Sequence, residues 1–203
     1  MKSTRARADR AKDSAMKRGF MKRGFTKRSF DTKLLTTDAV LLAAALIIAR
    51  LEALLPAFLV MPGFKPGLAN IATLLTVRLC GRRDGFALTL LRVTITSVLF
   101  GSVTSFLFSL CGGVLSFVVT AALVGFTEKE DAKMSLVGVS VLASAAHNLG
   151  QTGAACLVFG SLSPLGMLWW LFLLSVPTGL VTGIPAEIIT RRLKPVIRPK
   201  GKE

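Results

Sequence analysis

The chain has 203 residues, with 26 Lys and Arg against 11 Asp and Glu, and 52% of its residues are hydrophobic. Residues 1–33 carry a net charge of +9 and residues 190–203 a net of +5, leaving only +1 of the total +15 to the stretch between them. A nearly neutral apolar body with two basic ends excludes a uniformly basic nucleic-acid-binding globule and a disordered chain, and its apolar runs are too long for one soluble core.

Residues 1–33 have positive charge but no apolar run and no small-residue cleavage site, so they do not read as a secretory signal. They hold a fivefold-spaced repeat instead, Lys17-Arg18-Gly19-Phe20, Lys22-Arg23-Gly24-Phe25 and Lys27-Arg28-Ser29-Phe30. That period fits no helix. It predicts a disordered basic cytoplasmic tail, either resting on anionic headgroups with its Phe rings dipped in or solvated and merely orienting the chain. Met16 and Met21 are alternative first residues.

Six apolar stretches follow, at about 34–55, 66–80, 86–102, 104–126, 135–159 and 163–186. A spanning helix needs about 20 apolar residues, which the first, fourth, fifth and sixth stretches supply. The third is marginal and the second short, a pattern common where backbone lines a cavity rather than lipid. The predicted fold is an all-α membrane protein, a six-transmembrane-helix bundle over residues 34–189, with 190–203 a basic cytoplasmic tail. Arg82 and Arg83 fall between the second and third stretches, on the same side as both basic ends, whereas the connections on the other side carry only Lys65. By the positive-inside bias both termini are expected in the cytoplasm. The Glu128–Lys133 connection is mixed in sign and decides nothing.

Charge inside a bilayer is costly, on the order of 2.5–3.5 kcal/mol on insertion scales, so polar residues within these stretches need a reason. Glu52 lies two residues from Arg50, on the opposite helix face, so the two do not neutralise each other. Arg92 has no acidic residue within a helical turn. It either snorkels to an interface or faces the interior with Glu52, pairing with it or holding a substrate. His147, Asn148 and Gln151 share about a 100° arc of one helix, as a packed polar patch or a cavity lining. Asn70 opens the second stretch behind Pro66-Gly67. Lys65 sits in Met61–Gly67, a turn dense in Pro and Gly, where it is either simply exposed or placed to receive an anion beside a helix start.

In the first stretch Ala39 and Ala43, and Ala45 and Ala49, are spaced four apart, which lets another helix approach closely. The three cysteines, Cys80, Cys111 and Cys156, are widely spaced and read as small buried hydrophobes, with no zinc-ligand pattern. There is no Gly-rich phosphate loop, GxSxG, HExxH or DDxxD motif. No metal or cofactor is therefore expected, ATP hydrolysis would fall to other chains, and prenyl-transfer catalysis lacks its paired carboxylates.

The segments Leu51–Pro56, Pro62–Asn70, Arg92, Phe106–Ser116 (FLFSLCGGVLS), Gly138–Ser140 and Ala146–Gln151, in this order, resemble a bacterial membrane family. It is the Gx transporter family, also known as heptaprenyl diphosphate synthase component I, and the resemblance covers about residues 36–190. That family is similar in size and hydropathy to the substrate-binding S components of energy-coupling-factor (ECF) transporters. The resemblance implies six helices in the inner or plasma membrane and an outward-facing small-molecule site. It also implies partners, namely a transmembrane coupling subunit and ATPase subunits. The site would draw on Glu52, Lys65, Asn70, Arg92, His147, Asn148 and Gln151, and the docking face on Ala39, Ala43, Ala45 and Ala49. The synthase name implies a different role, a non-catalytic membrane subunit associated with isoprenoid or quinone synthesis.

Overall fold

A computed structural model describes residues 32–53, 67–127 and 134–197. Those residues form six α-helices and two short 3₁₀ turns, with no strand among them. The helices are α1 (Thr32–Ala53), α2 (Asn70–Leu79), α3 (Arg82–Phe100), α4 (Val103–Leu123), α5 (Leu136–Phe159) and α6 (Leu168–Ile197). The 1–31 part of the expected N-terminal tail, Lys65, the Glu128–Lys133 connection and residues 198–203 lie outside the described residues.

Local chemistry marks the helix ends. Ser102 and Ser135 stand ahead of α4 and α5, and their hydroxyls accept from the backbone N–H of Ser105 (3.2 Å) and Gly138 (3.0 Å). Gly160, at φ +60°, stops α5 in the left-handed conformation that glycine adopts at helix ends.

Among the described residues three segments are long and apolar enough to cross a membrane, Thr32–Glu52, Val103–Thr127 and Ser163–Ile197. The fifth stretch, expected to be a fourth, is helical as α5 but is not one of them, because His147, Asn148 and Gln151 lower its hydropathy. The second apolar stretch differs from its expectation. Only Asn70–Leu79 is helical, ten residues, or about 15 Å of rise. That is half the thickness of a hydrocarbon core of about 30 Å. The helix is enclosed by protein along its length, with Ala72 through Val77 and Leu79 all buried. At the C-terminal end α6 continues as helix through Ile197, into the basic segment that begins at residue 190. The basic residues there suit a helix C-terminus, and Arg191 bonds Glu187 one turn back at 2.7 Å.

The core forms where the short α2 is surrounded. Leu74, Leu75, Val77 and Leu79 pack with Ala45 of α1, Leu88 of α3, Val139 of α5 and Ala186 of α6. A smaller cluster joins Phe108, Ala154, Ala155 and Leu171 of the last three helices. Between α5 and α6 the backbones nearly touch. A β-carbon on Gly179 would fall onto the backbone of Val141, and one on Gly183 would lie 2.8 Å from the Val137 Cα. The Ser140 and Thr182 hydroxyls bond across that seam at 2.7 Å, and the Thr73 and Thr89 hydroxyls do the same between α2 and α3 at 3.0 Å.

The outward faces are strongly apolar. Val98, Val103 and Leu157 are each about four-fifths exposed (80%, 79% and 83%), and Leu162, Trp169 and Val181 are exposed as well. Helix α1 is the most peripheral of the three long apolar segments.

Candidate functional site

The candidate site is assembled around the start of α2. Gly67 precedes that helix with φ +83°, a left-handed conformation that a side chain would strain. A β-carbon there would also fall 2.9 Å from Asn70 Nδ2 and 3.0 Å from the His147 ring. The glycine thus lets the backbone turn into the bundle with its N–H groups pointing at α1. There, Glu52 Oε1 accepts hydrogen bonds from the N–H of Gly67 and, at 2.9 Å, from that of Leu68. A carboxylate placed at unsatisfied N–H groups ahead of a helix is stabilised by both hydrogen bonds and helix dipole.

Two residues further on, at the first position of α2, Asn70 Oδ1 accepts from Arg92 Nη2 of α3 at 3.0 Å. Glu52 is 6% exposed and Arg92 6% exposed. They form no direct ion pair. Glu52, the turn at Gly67–Leu68, Asn70 and Arg92 make a relay in which the start of α2 stands between the two charges. Thr96, one turn beyond Arg92, donates its hydroxyl to the Arg92 carbonyl at 2.8 Å.

Both charges face a small cavity. Its walls are Ala49 and Glu52 of α1, Gly67, Arg92, Val93 and Thr96 of α3, Ser109 of α4 and His147 of α5. Its interior has room for about one water molecule. His147 is held by Gln151, Nε2 to Nε2 at 2.5 Å, one helical turn away. With the Gln151 amide donating, the ring accepts at Nε2 and carries its proton on Nδ1. Gly112 of α4 makes this arrangement possible, since a β-carbon there would lie 2.9 Å from both residues.

Of the residues singled out from the sequence, Glu52, Asn70, Arg92, His147 and Gln151 come together here. Asn148 does not. Its Nδ2 donates to the Leu171 carbonyl at 2.8 Å, pinning the start of α6 to α5. One residue along a helix turns a side chain by about 100°, which carries Asn148 away from the cavity that His147 faces. Lys65 lies outside the described residues. The four alanines of α1 also divide. Ala45 (0% exposed) and Ala49 (9%) are buried against the bundle, whereas Ala39 and Ala43 lie on the exposed side.

Thr96 and Ser109 were not singled out from the sequence. Thr96 follows Arg92 by four residues and so shares its face, a signal the sequence carried. Ser109 could be placed only once α4 was packed. Among the described residues, no three His, Cys, Asp or Glu side chains form a group that could hold a metal ion.

The family of heptaprenyl diphosphate synthase component I matches residues 41–189, a range that contains every cavity-lining residue. No curated protein and no solved structure matches the chain. The match spans more than two thirds of the sequence and all six helices, wholly or in large part, and this chain belongs to the heptaprenyl diphosphate synthase component I family.

Proposed function

We propose that this chain is a multi-pass protein of the inner or plasma membrane that captures a small molecule, as the S component of an ECF-type transporter does. Both termini are cytoplasmic in this reading, and ATP hydrolysis belongs to partner subunits. The observation that carries it is the burial of Glu52 and Arg92 around one cavity, the two buried residues of the Asp, Glu, Lys and Arg type among the described residues. Removing two charges from water costs several kcal/mol per ion even after relaxation, a cost that packing alone would not retain when apolar residues of similar size fill a core as well.

Other features support the membrane assignment. The outward faces are apolar. Arg82 and Arg83 open α3, and Arg191, Arg192 and Lys194 close α6, where basic residues favour the cytoplasmic interface. A half-length helix such as α2 is tolerated at membrane depth when protein encloses it, and here the N–H groups of Gly67 and Leu68 ahead of it hold the Glu52 carboxylate. The exposed Ala39–Ala43 side of α1 is the docking face in this reading, because Ala45 and Ala49 already contact the bundle. The test is co-purification in gentle detergent. A coupling subunit and ATPase subunits should come with the protein, and their absence under conditions that preserve related complexes breaks the reading.

The family description favours a second reading, a non-catalytic membrane subunit associated with heptaprenyl diphosphate synthesis. Loss of long-chain prenyl diphosphate on deletion, with small-molecule uptake unchanged, would select it over transport.

A further inference from the structure

Charge separates the two ends of the bundle. The core cluster around α2 joins Leu34 at the start of α1, Leu79 at the end of α2, Leu88 of α3, Leu123 at the end of α4, Leu136 at the start of α5 and Ile197 at the end of α6, so these ends lie together. That end holds Lys33 and Arg78, the Arg82–Arg83 pair that opens α3, and the basic residues that close α6, against Asp38, Asp84 and Glu187. At the opposite end the α3–α4 and α5–α6 connections carry no Asp, Glu, Lys or Arg, and the exposed Trp169 and Trp170 stand there instead.

Helical rotation puts some of the arginines on the apolar outer faces. Arg83, Ala87, Leu91, Thr94 and Val98 are all exposed and fall within about 80° of one face of α3. On α6, Val181, Ile184, Ile188 and Arg191 are exposed within a similar arc, with Arg192 at its edge. Each outer stripe therefore runs from apolar side chains to a guanidinium at the basic end. Arg191 is met by Glu187 at 2.7 Å, whereas among the described residues Arg83 and Arg192 have no carboxylate partner.

We propose that these two stripes seat anionic phospholipids of the cytoplasmic leaflet, with the phosphate on Arg83 or Arg192 and an acyl chain along the apolar run behind it. This rests on the membrane reading given above and is independent of what the cavity takes. A guanidinium meets a phosphate through two parallel N–H donors, and a zwitterionic headgroup weakens that contact with its own cation. The apolar run beside each arginine favours a ligand that carries its anion on a hydrocarbon chain, which free phosphate and an acidic peptide do not.

The test uses the full chain in a mild nonionic detergent. Dioleoylphosphatidylglycerol, dioleoylphosphatidylcholine and glycerol 1-phosphate are titrated separately, and bound adducts are counted by native mass spectrometry. The anionic lipid is expected to bind at least about fivefold more tightly than the zwitterionic one, the effect of roughly one basic side chain at a membrane surface. Arg83→Gln combined with Arg192→Gln should erase most of that preference. Arg50→Gln, an exposed arginine near the other end of α1, should leave it unchanged.

Equal binding of the two lipids overturns the proposal. So does glycerol 1-phosphate binding as tightly as the anionic lipid, or a loss in Arg50→Gln as large as in the double variant. Loss of partner subunits in the double variant, with lipid preference intact, assigns the arginines to a protein interface and overturns it as well. The preference of the unaltered chain is the primary readout, so a variant that fails to fold leaves the test decisive. Lipid preference in a protein that never assembles with coupling and ATPase subunits breaks the transport reading alone. Assembly with those subunits in a chain without lipid preference breaks the lipid proposal alone.

Discussion

Two polar regions of the bundle invite comparison, the relay at the start of α2 and the seam between α5 and α6. At the seam, hydroxyls and an amide are consumed in holding helices together. Ser140 bonds Thr182, and Asn148 bonds the Leu171 carbonyl. Around α2, charged groups are brought together and the donors of Arg92 and Asn70 are left over. A polar side chain in an apolar interior is thus explained by packing when its partners are complete. Where charged groups and unpartnered donors gather beside a cavity, as at Arg92 and Asn70, the side chains mark a candidate site.

The strongest way to break this contrast is to remove Glu52. Glu52→Ala strips the acceptor from two backbone N–H groups and leaves Arg92 the one buried charge at the cavity, with an expected stability loss of about 3 kcal/mol. Glu52→Gln keeps an acceptor oxygen and should lose clearly less. Reversible denaturant unfolding in mixed micelles measures both, and equal losses would mean that the hydrogen bonds to α2 are not what Glu52 supplies.

At the seam the sensitive feature is backbone proximity. Gly179→Val should cost about 2 kcal/mol by overpacking against Val141, while cavity binding stays unchanged in the fraction that folds. A loss of ligand binding in that folded fraction would erase the distinction between the regions.

Asn148→Ala tests whether that amide belongs to the seam. It should lose about 1 kcal/mol of stability through the Leu171 bond, with ligand affinity retained. Smaller still is the hydroxyl pair. A double-mutant cycle of Ser140→Ala and Thr182→Val should give a coupling of about 0.6 kcal/mol, typical of hydrogen bonds between membrane helices. Least of all in stability is Ala43→Leu on the exposed side of α1, within about 0.5 kcal/mol of the unaltered chain. Its readout is co-purification, where loss of partner subunits would identify that side of α1 as the docking face.

The helical class and most of the polar candidates were legible in the sequence because both follow from local solvation. Long apolar runs must satisfy their own backbone groups, and a Glu or Arg within them is conspicuous wherever the chain later goes. The relay was not legible. Glu52 and Arg92 read as a possible direct pair, and only the fold put the Gly67–Leu68 turn and Asn70 between them. Gly67 and Gly112 stood out in the sequence as a turn and a small-residue spot, but that His147, Asn70 and Gln151 are what approach them was fixed only by packing.

The sequence by itself determined an apolar helical chain with basic ends, its family, and a short list of interior polar residues. Hydropathy, charge and motif order act along the chain and need no partner. Tertiary structure decided which of those residues meet. It turned His147 toward the cavity and Asn148 toward α6, buried Ala45 and Ala49 while exposing Ala39 and Ala43, and enclosed α2 as a half-length helix. Each of these depends on which way a helix is rotated and what packs against it, and that is settled only when all the helices are in place.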